Sequence, residues 1–243
     1  MNAYDDCRCF TVEAAGVRWQ LASLADLETL WDRLADDEED DDLLDTDPAA
    51  LRRRRQFEAD ERLPYWTELW PSSYLLAQWL ERSQSRICGR RCLDLGCGLG
   101  FTALVGSRLG ARVTAMDYEA DALAFARRNT VENQAHLDGR APAWLCMDWR
   151  APAFRKRVFD VVWAGDVVYE HRFIPPVADF LDRVVAPEGV AWIAEPDRAV
   201  YRPFIEAMHR RGFDASKAYA AKVHARNWPA GGVPASLWEF RRR

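Results

Sequence analysis

The chain has 243 residues, of which 49% are hydrophobic and 12% aromatic, and its formal net charge is -5. A chain of this length and composition buries a sizeable core without disulfides or structural metals, so one large α/β domain with an N-terminal extension is expected. The acidic balance argues against a general nucleic-acid binder, which normally presents a basic face.

The cysteines and the hydropathy pattern predict a cytoplasmic protein. The first ten residues are acidic and lack the apolar run of a signal peptide, and no apolar stretch approaches the ~20 residues that span a bilayer. The six cysteines are therefore expected to be reduced thiols. Cys7 and Cys9 have the spacing of half a zinc site, but no second Cys or His pair stands at zinc spacing, so no metal site is predicted.

Residues 1–62 are predicted to form an N-terminal extension. Two short strands flank Gly16 and predict a hairpin, and residues 23–34 carry apolar residues at helical spacing, with Ser23 as the candidate N-cap. Seven consecutive acids at 36–42 repel one another, so this run is expected to be solvated and mobile. Docking of a basic partner is the functional alternative for the same run.

Strands and helices alternate through the predicted second domain, 63–243. Strands are predicted at 91–95, 112–116, 143–147, 159–164, 190–194, 218–224 and 236–240, and helices at 101–109, 119–130, 173–185 and 201–211. Such alternation produces a mostly parallel sheet with helices on both faces, and ligands bind at the carboxyl ends of its strands.

The glycine-rich loop after the first of these strands is the strongest local signal. The sequence Asp94-Leu95-Gly96-Cys97-Gly98-Leu99-Gly100 joins a strand to a helix, where glycine allows backbone N–H groups to approach a ligand closely. Its G-x-G-x-G spacing, with Phe101 where a dinucleotide fingerprint has its third glycine, favours a ligand without a pyrophosphate. Cys97 is predicted to fill the loop rather than to act as a nucleophile, because no histidine is placed to activate it.

Acidic residues also close the next two strands. Asp117, followed by Tyr118, stands at about the offset from the glycine loop at which a carboxylate accepts hydrogen bonds from ribose hydroxyls. Asp148, followed by Trp149, is placed to accept from an adenine amino group while apolar neighbours enclose the ring. The alternative for both acids is an ordinary turn role at a strand end.

The glycine loop and the second-strand acid, from about residue 88 to 200, resemble those of the class I S-adenosylmethionine-dependent methyltransferases. The resemblance implies a three-layer Rossmann-like fold with a mostly parallel seven-stranded sheet and a final antiparallel strand. It also implies that Gly96, Gly98 and Gly100 contact the methionine part of S-adenosylmethionine, with Asp94 near its amino group. Asp117 would bind the ribose and Asp148 the adenine.

The loop after the fourth strand, Gly165-Asp166-Val167-Val168-Tyr169, looks like the Asp-x-x-Tyr motif of the seven-strand protein-lysine methyltransferases. The segment from Tyr65 through Trp66 to Trp70 is similar to their aromatic signature, and Glu195-Pro196-Asp197-Arg198 is similar to the Asp-Pro-x-Arg of the branch that methylates the electron-transfer flavoprotein. Glu195 and Ala194 replace an aspartate and a glycine of that motif.

The resemblance implies methyl transfer to a lysine side chain of a protein, whereas the charge and hydropathy predict no nucleic-acid or membrane partner. The alternatives are a small-molecule amine N-methyltransferase and a non-catalytic cofactor-binding protein. Asp166 would accept a hydrogen bond from the amine, and Tyr169 and Trp70 would wall its channel. The candidate cofactor-binding residues are Trp70, Asp94, Gly96, Cys97, Gly98, Gly100, Asp117, Tyr118, Asp148, Trp149 and Gly165, and the candidate catalytic residues are Asp166 and Tyr169.

Overall fold

A computed structural model describes residues 7–25 and 65–243. Strands β1 (Cys7–Ala14) and β2 (Val17–Leu24) form the predicted antiparallel hairpin. Ala15 and Gly16 both have positive φ, 52° and 72°, as the two central residues of a type I′ hairpin turn require. Ser23 lies inside β2, where its hydroxyl accepts a hydrogen bond from Arg8 Nε at 3.1 Å, so the predicted helix start at Ser23 is wrong. The remainder of that predicted helix and the acidic run 36–42 lie outside the described residues.

Alternating strands and helices form the rest of the chain. The strands are β3 (Arg91–Leu95), β4 (Arg112–Asp117), β5 (Ala143–Cys146), β6 (Phe159–Gly165), β7 (Val185–Glu195), β8 (Phe213–Val223) and β9 (Val233–Arg242). The helices are α1 (Pro71–Arg82), α2 (Gln84–Ile87), α3 (Phe101–Arg108), α4 (Ala120–Glu132), α5 (Ile174–Val184) and α6 (Tyr201–Arg210).

The seven strands from β3 onward form one sheet in the order β5-β4-β3-β6-β7-β9-β8. Only β9 within this sheet runs antiparallel to its neighbours, so the predicted three-layer fold with one final antiparallel strand is confirmed. The chain leaves β3 toward β4 on one side and later returns to β6 on the other. This reversal opens a crevice at the carboxyl end of β3, which is where ligands bind in such sheets.

Apolar side chains cover both faces of the sheet. Leu75 and Leu76 of α1 pack with Trp163 and Trp192 on one face, and Leu181 of α5 packs in the cluster on the other. Trp19 and Leu21 of the hairpin are fully buried in the first of these clusters. The hairpin therefore shares the core of the main domain.

Predicted and observed strands differ most at the later elements. β7 begins at Val185 rather than at residue 190, because the strand includes the Pro187-Glu188-Gly189 segment, which lies at an irregularity in its pairing with β6. β8 and β9 are each longer than predicted, since β8 lies at the sheet edge and its polar side chains break the apolar pattern. In the described part of the chain, no helix has the length and apolar character needed to cross a membrane.

Candidate cofactor and acceptor site

A cavity of about 600 Å³ opens at the carboxyl ends of β3, β4 and β6. Its volume falls within the range of about 300–1,000 Å³ that is typical of small-molecule sites. The structure brings eleven of the thirteen predicted site residues together in its lining: Trp70, Gly96, Cys97, Gly98, Asp117, Tyr118, Asp148, Trp149, Gly165, Asp166 and Tyr169. Asp94 and Gly100 do not line it.

The glycine loop borders the cavity at Gly96, whose φ is +66°. A Cβ at this position would lie 2.8 Å from Val167 Cγ1, so the loop and the segment after β6 can approach this closely only with glycine there. Gly100 serves packing instead, because a Cβ there would lie 2.6 Å from the Trp144 ring. Gly100 thus packs against β5 and does not line the cavity, and its contact with the cofactor stays a prediction.

Asp94 lies beneath the loop, only 1% exposed, and its Oδ2 accepts a hydrogen bond from the Thr102 hydroxyl at 2.6 Å. Burial raises the pKa of Asp94 to about 7. The carboxyl group therefore ties the end of β3 to the first turn of α3 and does not line the cavity. Its contact with the cofactor amino group stays a prediction, and its bond to Thr102 holds the loop.

Asp117 is the acid whose geometry fits a ribose diol. Its carboxylate lines the cavity while 9% exposed, and it accepts N–H donors from Gly98 at 2.8 Å and from Glu119 at 3.0 Å. Burial raises its pKa above the usual range, against the lowering effect of these N–H groups. Because two carboxylate oxygens offer about four acceptor positions, the backbone N–H groups of Gly98, Tyr118 and Glu119 leave acceptor capacity for a hydroxyl donor.

The loop after β5 supplies the opposite wall. Asp148 accepts hydrogen bonds from the Arg150 backbone N–H at 2.7 Å and from its Nε at 2.8 Å. The Arg150 guanidinium lies 5.6 Å above the Tyr118 ring, and the Trp149 ring meets Phe173 edge-on at 6.0 Å. These flat apolar groups beside a carboxylate match the chemistry of a purine with an exocyclic amine.

Cys97 lines the cavity but is only 7% exposed. Burial raises the pKa of its thiol well above the ordinary value, so the sulfur stays protonated and a poor nucleophile. This agrees with its predicted role as a small loop residue. The glycine loop, the Asp117 carboxylate and the aromatic wall together fit S-adenosylmethionine.

Aromatic rings enclose the other half of the cavity. The Tyr65 ring lies 5.2 Å from that of Tyr169 and 5.8 Å from that of Trp70 between ring centroids. Trp70 also donates its Nε1 hydrogen to the Tyr65 carbonyl at 2.8 Å, and its ring lies 5.4 Å from Trp228. Trp66 lies against Phe125 and also lines the cavity.

Asp166 stands at the floor of this aromatic half, at the end of β6, with a left-handed φ of 56°. Its side chain is 5% exposed and forms a bidentate pair with Arg198, from Nε to Oδ1 and from Nη2 to Oδ2, each at 2.7 Å. Burial raises the pKa of Asp166, whereas the hydrogen bonds and charge of Arg198 oppose that rise. Tyr169 shows a raised phenol pKa as well, chiefly from burial, and stays neutral.

Glu68 links three segments at the cavity mouth. It forms an ion pair with Arg8 of the hairpin and accepts a hydrogen bond from Asn227 Nδ2 at 3.0 Å. Asn227 belongs to the loop between β8 and β9 that also carries Trp228. The hairpin and this loop therefore both contact a residue that lines the cavity.

Sequence reasoning missed several of these residues. Arg198 was visible only as part of a motif without an assigned role, and its partner Asp166 lies 32 positions away in the sequence. Glu68, Asn227 and Trp228 carry no local signal, since each acquires its place from contacts between segments distant in sequence.

Comparisons with known proteins agree with this geometry. The family described as "Methyltransferase domain" matches residues 93–193, which run from β3 into β7. Protein N-lysine methyltransferase METTL21A of Danio rerio is 26% identical over 136 residues, covering 55% of this chain and 62% of that protein. Electron transfer flavoprotein beta subunit lysine methyltransferase of Danio rerio is 28% identical over 140 residues, covering 57% and 52%.

A different named activity occurs among the relatives as well. Ribosomal protein L11 methyltransferase of Janthinobacterium sp. (strain Marseille) is 30% identical over 168 residues, covering 66% of this chain and 50% of that protein. The chain thus spans roughly half to three fifths of the length of these curated relatives.

The solved structure of magnesium protoporphyrin IX methyltransferase from Synechocystis PCC 6803 with bound SAM superposes with a TM-score of 0.54 at 17% identity, covering 71% of this chain and 80% of that one. This likeness shows the fold.

Proposed function

We propose that this chain, which carries a class I methyltransferase domain with S-adenosylmethionine as its cofactor, methylates a lysine side chain of a protein. The observation that carries the proposal is the acceptor half of the cavity, where aromatic rings surround a buried carboxylate at the carboxyl end of β6. Two of the relatives named above are lysine methyltransferases of proteins, which supports the same substrate class.

The chemistry requires a neutral amine held in line with an electrophilic carbon. S-adenosylmethionine supplies that carbon as a methyl group on a sulfonium. A free lysine has a pKa near ~10.4, so the site must receive the amine without its extra proton and fix the direction of its lone pair. Asp166 Oδ1 and Oδ2 retain acceptor positions beyond those used by Arg198, and one of them can take an N–H of the amine.

The aromatic rings supply the channel. Tyr65, Trp70 and Tyr169 exclude water from the amine and favour a passing cation through their ring quadrupoles, by about 0.5–2 kcal/mol. The four-carbon stem of lysine is apolar, so the same rings also suit its length.

The test is transfer of tritiated methyl from S-adenosylmethionine into a lysate of the source organism that lacks the gene, resolved on a gel and then hydrolysed to amino acids. One labelled band that contains methyl-lysine supports the proposal and identifies the substrate. A labelled band whose methyl group sits on another amino acid or on an α-amino group would overturn the lysine assignment. Label only in small molecules would favour the metabolite N-methyltransferase, and absence of label despite cofactor binding would favour a silent binder. An Asp117→Ala variant is the control for background labelling.

A further inference from the structure

The bidentate pair between Asp166 and Arg198 changes what the carboxylate can do in the acceptor site. Both oxygens of Asp166 already accept charge-assisted hydrogen bonds at 2.7 Å. Arg198 opposes the rise in proton affinity that burial gives this carboxylate, and the carboxylate keeps free lone pairs. Asp166 is therefore suited to orient an amine.

An unpaired carboxylate here would hinder methyl transfer. Next to a buried negative charge, a lysine would be held as ammonium, because an opposite charge within about 4–6 Å favours the charged form. The ammonium has no lone pair to attack the methyl group. A cation beside the carboxylate removes this net attraction, and a cation near a lysine lowers the pKa of that lysine.

We propose that Arg198 is a positioning residue that holds Asp166 as a fixed hydrogen-bond acceptor and, by cancelling its charge, lets the acceptor lysine bind as a neutral amine. The proposal rests on the lysine acceptor proposed above. Arg198 lines the cavity with its side chain 32% exposed, so its charge acts at the place where the amine arrives.

The position of Arg198 is fixed from behind. Glu195, 3% exposed at the end of β7, accepts the Arg198 backbone N–H at 2.7 Å and the Trp238 Nε1 hydrogen at 3.2 Å. Asp197, with a left-handed φ of 58°, turns the chain between them. The Glu195-Pro196-Asp197-Arg198 segment thus delivers a guanidinium from β7 to the carboxylate at the end of β6.

The remaining charged and titratable groups near the pair are few and largely compensated. Hydrogen bonding to Asp166 raises the pKa of Arg198, so the guanidinium stays charged at any working pH. Tyr169 stays neutral because its phenol pKa is raised. The other groups that face the pair or its neighbours are Tyr65, the Glu170–Arg172 ion pair at 2.9 Å, the buried Glu195, Asp197, and Glu68 bound to Arg8.

The pH dependence of kcat tests the proposal, because kcat reports ionisations in the enzyme–substrate complex. In Arg198→Met, the bound lysine faces an uncompensated Asp166, so the acid limb of the profile should move to higher pH by at least one unit. Arg198→Lys keeps the charge and loses the bidentate geometry, so kcat should fall at least fivefold while the acid limb stays at its wild-type pH. Asp166→Asn leaves the Arg198 charge uncompensated, and its residual activity should show the limb at lower pH.

Two controls separate this result from a loss of fold. All three variants should bind S-adenosylhomocysteine within threefold of the wild-type affinity in calorimetry. Arg91→Met breaks a comparable two-pronged pair with Asp160 at the opposite end of the sheet, and its profile should match the wild type. If the acid limb of the Arg198→Met profile coincides with that of the wild type, the proposal is overturned.

A second readout requires no acceptor. The 13C carboxyl resonance of Asp166 should titrate at higher pH in Arg198→Met than in the wild type by at least one unit. An unchanged titration would show that Arg198 does not govern the carboxylate, whatever the acceptor is. If the labelling experiment finds no methyl-lysine but this titration shifts, the lysine assignment fails while the pairing of Arg198 and Asp166 stands.

Discussion

Replacing Asn129 by alanine should weaken both the fold and cofactor binding. Asn129 is fully buried in α4 and makes three hydrogen bonds to other segments. Its Oδ1 accepts the Ala22 N–H at 2.7 Å, and its Nδ2 donates to the carbonyls of Ala22 at 3.2 Å and Leu99 at 2.9 Å. One side chain therefore joins the outer edge of β2 to the glycine loop.

The expected loss of unfolding free energy follows from the buried polar groups that Asn129→Ala leaves without a hydrogen-bond partner. Asn129→Ala leaves one N–H and two carbonyls without a hydrogen bond, and each buried polar group left unpaired costs about 1–3 kcal/mol. Partial access of water to the loosened hairpin places the expected loss of unfolding free energy near 3–4 kcal/mol. A chain of this size loses about 2–4 °C of Tm for each kcal/mol, so Tm should fall by roughly 10 °C.

Asn133, one turn further along α4, is the matched control. It is 1% exposed and makes the same type of contacts to the backbone of Gln20, at 2.9 Å and 2.6 Å, but it has no contact with the glycine loop. Asn133→Ala should therefore lower stability to a similar extent and leave cofactor affinity within threefold. Asn129→Ala should weaken S-adenosylmethionine binding at least tenfold, because the Leu99 carbonyl beside the cavity loses its tether.

Urea unfolding and calorimetric titration with S-adenosylmethionine measure the two effects separately. A loss below about 1 kcal/mol for Asn129→Ala would refute the counting of unpaired groups. Equal changes of cofactor affinity in the two variants would show that the effect passes through general stability and not through the loop.

Three further predictions concern Asp117, which lines the cofactor half of the cavity, and Asp94 and Gly100, which support the glycine loop. Gly100→Ala should cost about 1–3 kcal/mol more in urea unfolding than Gly139→Ala, since both have positive φ but only the Gly100 Cβ meets Trp144; equal losses would remove the packing argument. The pKa of Asp94 in the folded protein is about 7, above its unfolded value, so the protonated group stabilises the fold at low pH. This contribution disappears as pH rises toward 7, by roughly 1.4 kcal/mol of unfolding free energy per pH unit. Asp94→Asn should flatten that slope, and an unchanged slope would exclude Asp94 as its source. Asp117→Ala should raise the Kd for S-adenosylmethionine about 10–100-fold, because hydrogen bonds to a charged group contribute about 1.5–3 kcal/mol, and calorimetry showing unchanged affinity would move the ribose elsewhere.

The elements that the sequence predicts best are those whose pattern depends on local burial. β3 has its predicted bounds because all of its residues after Arg91 are buried, which produces a continuous apolar run around Asp94. The same local logic placed Asp117 and Asp148 at strand ends, and both line the cavity. Parallel strands bring their carboxyl ends to one edge, so neighbouring strand-end residues converge without further information.

Local sequence patterns did not predict the roles of residues that depend on a partner distant in sequence. Asp94 stands at the motif position of a ligand-binding acid, and its buried carboxyl group accepts a hydrogen bond from Thr102 and does not line the cavity. Asp166 was expected to accept a hydrogen bond from an amine, and the guanidinium that pairs with it comes from a loop after a different strand. Only the sheet order, which places β7 beside β6, brings Arg198 to that carboxylate.

The hairpin was predicted as part of an N-terminal extension, and its contacts with the main domain were not predicted. Trp19 and Leu21 are fully buried in the domain core, and Arg8 pairs with Glu68, which lines the cavity. Strand β2 also satisfies part of its outer edge through Asn129 and not through another strand, which an isolated hairpin of two strands cannot do. Residues before the glycine loop therefore contribute to both halves of the site: Ala22 of β2 is joined to the glycine loop through Asn129, and Arg8 of β1 pairs with Glu68, which lines the cavity.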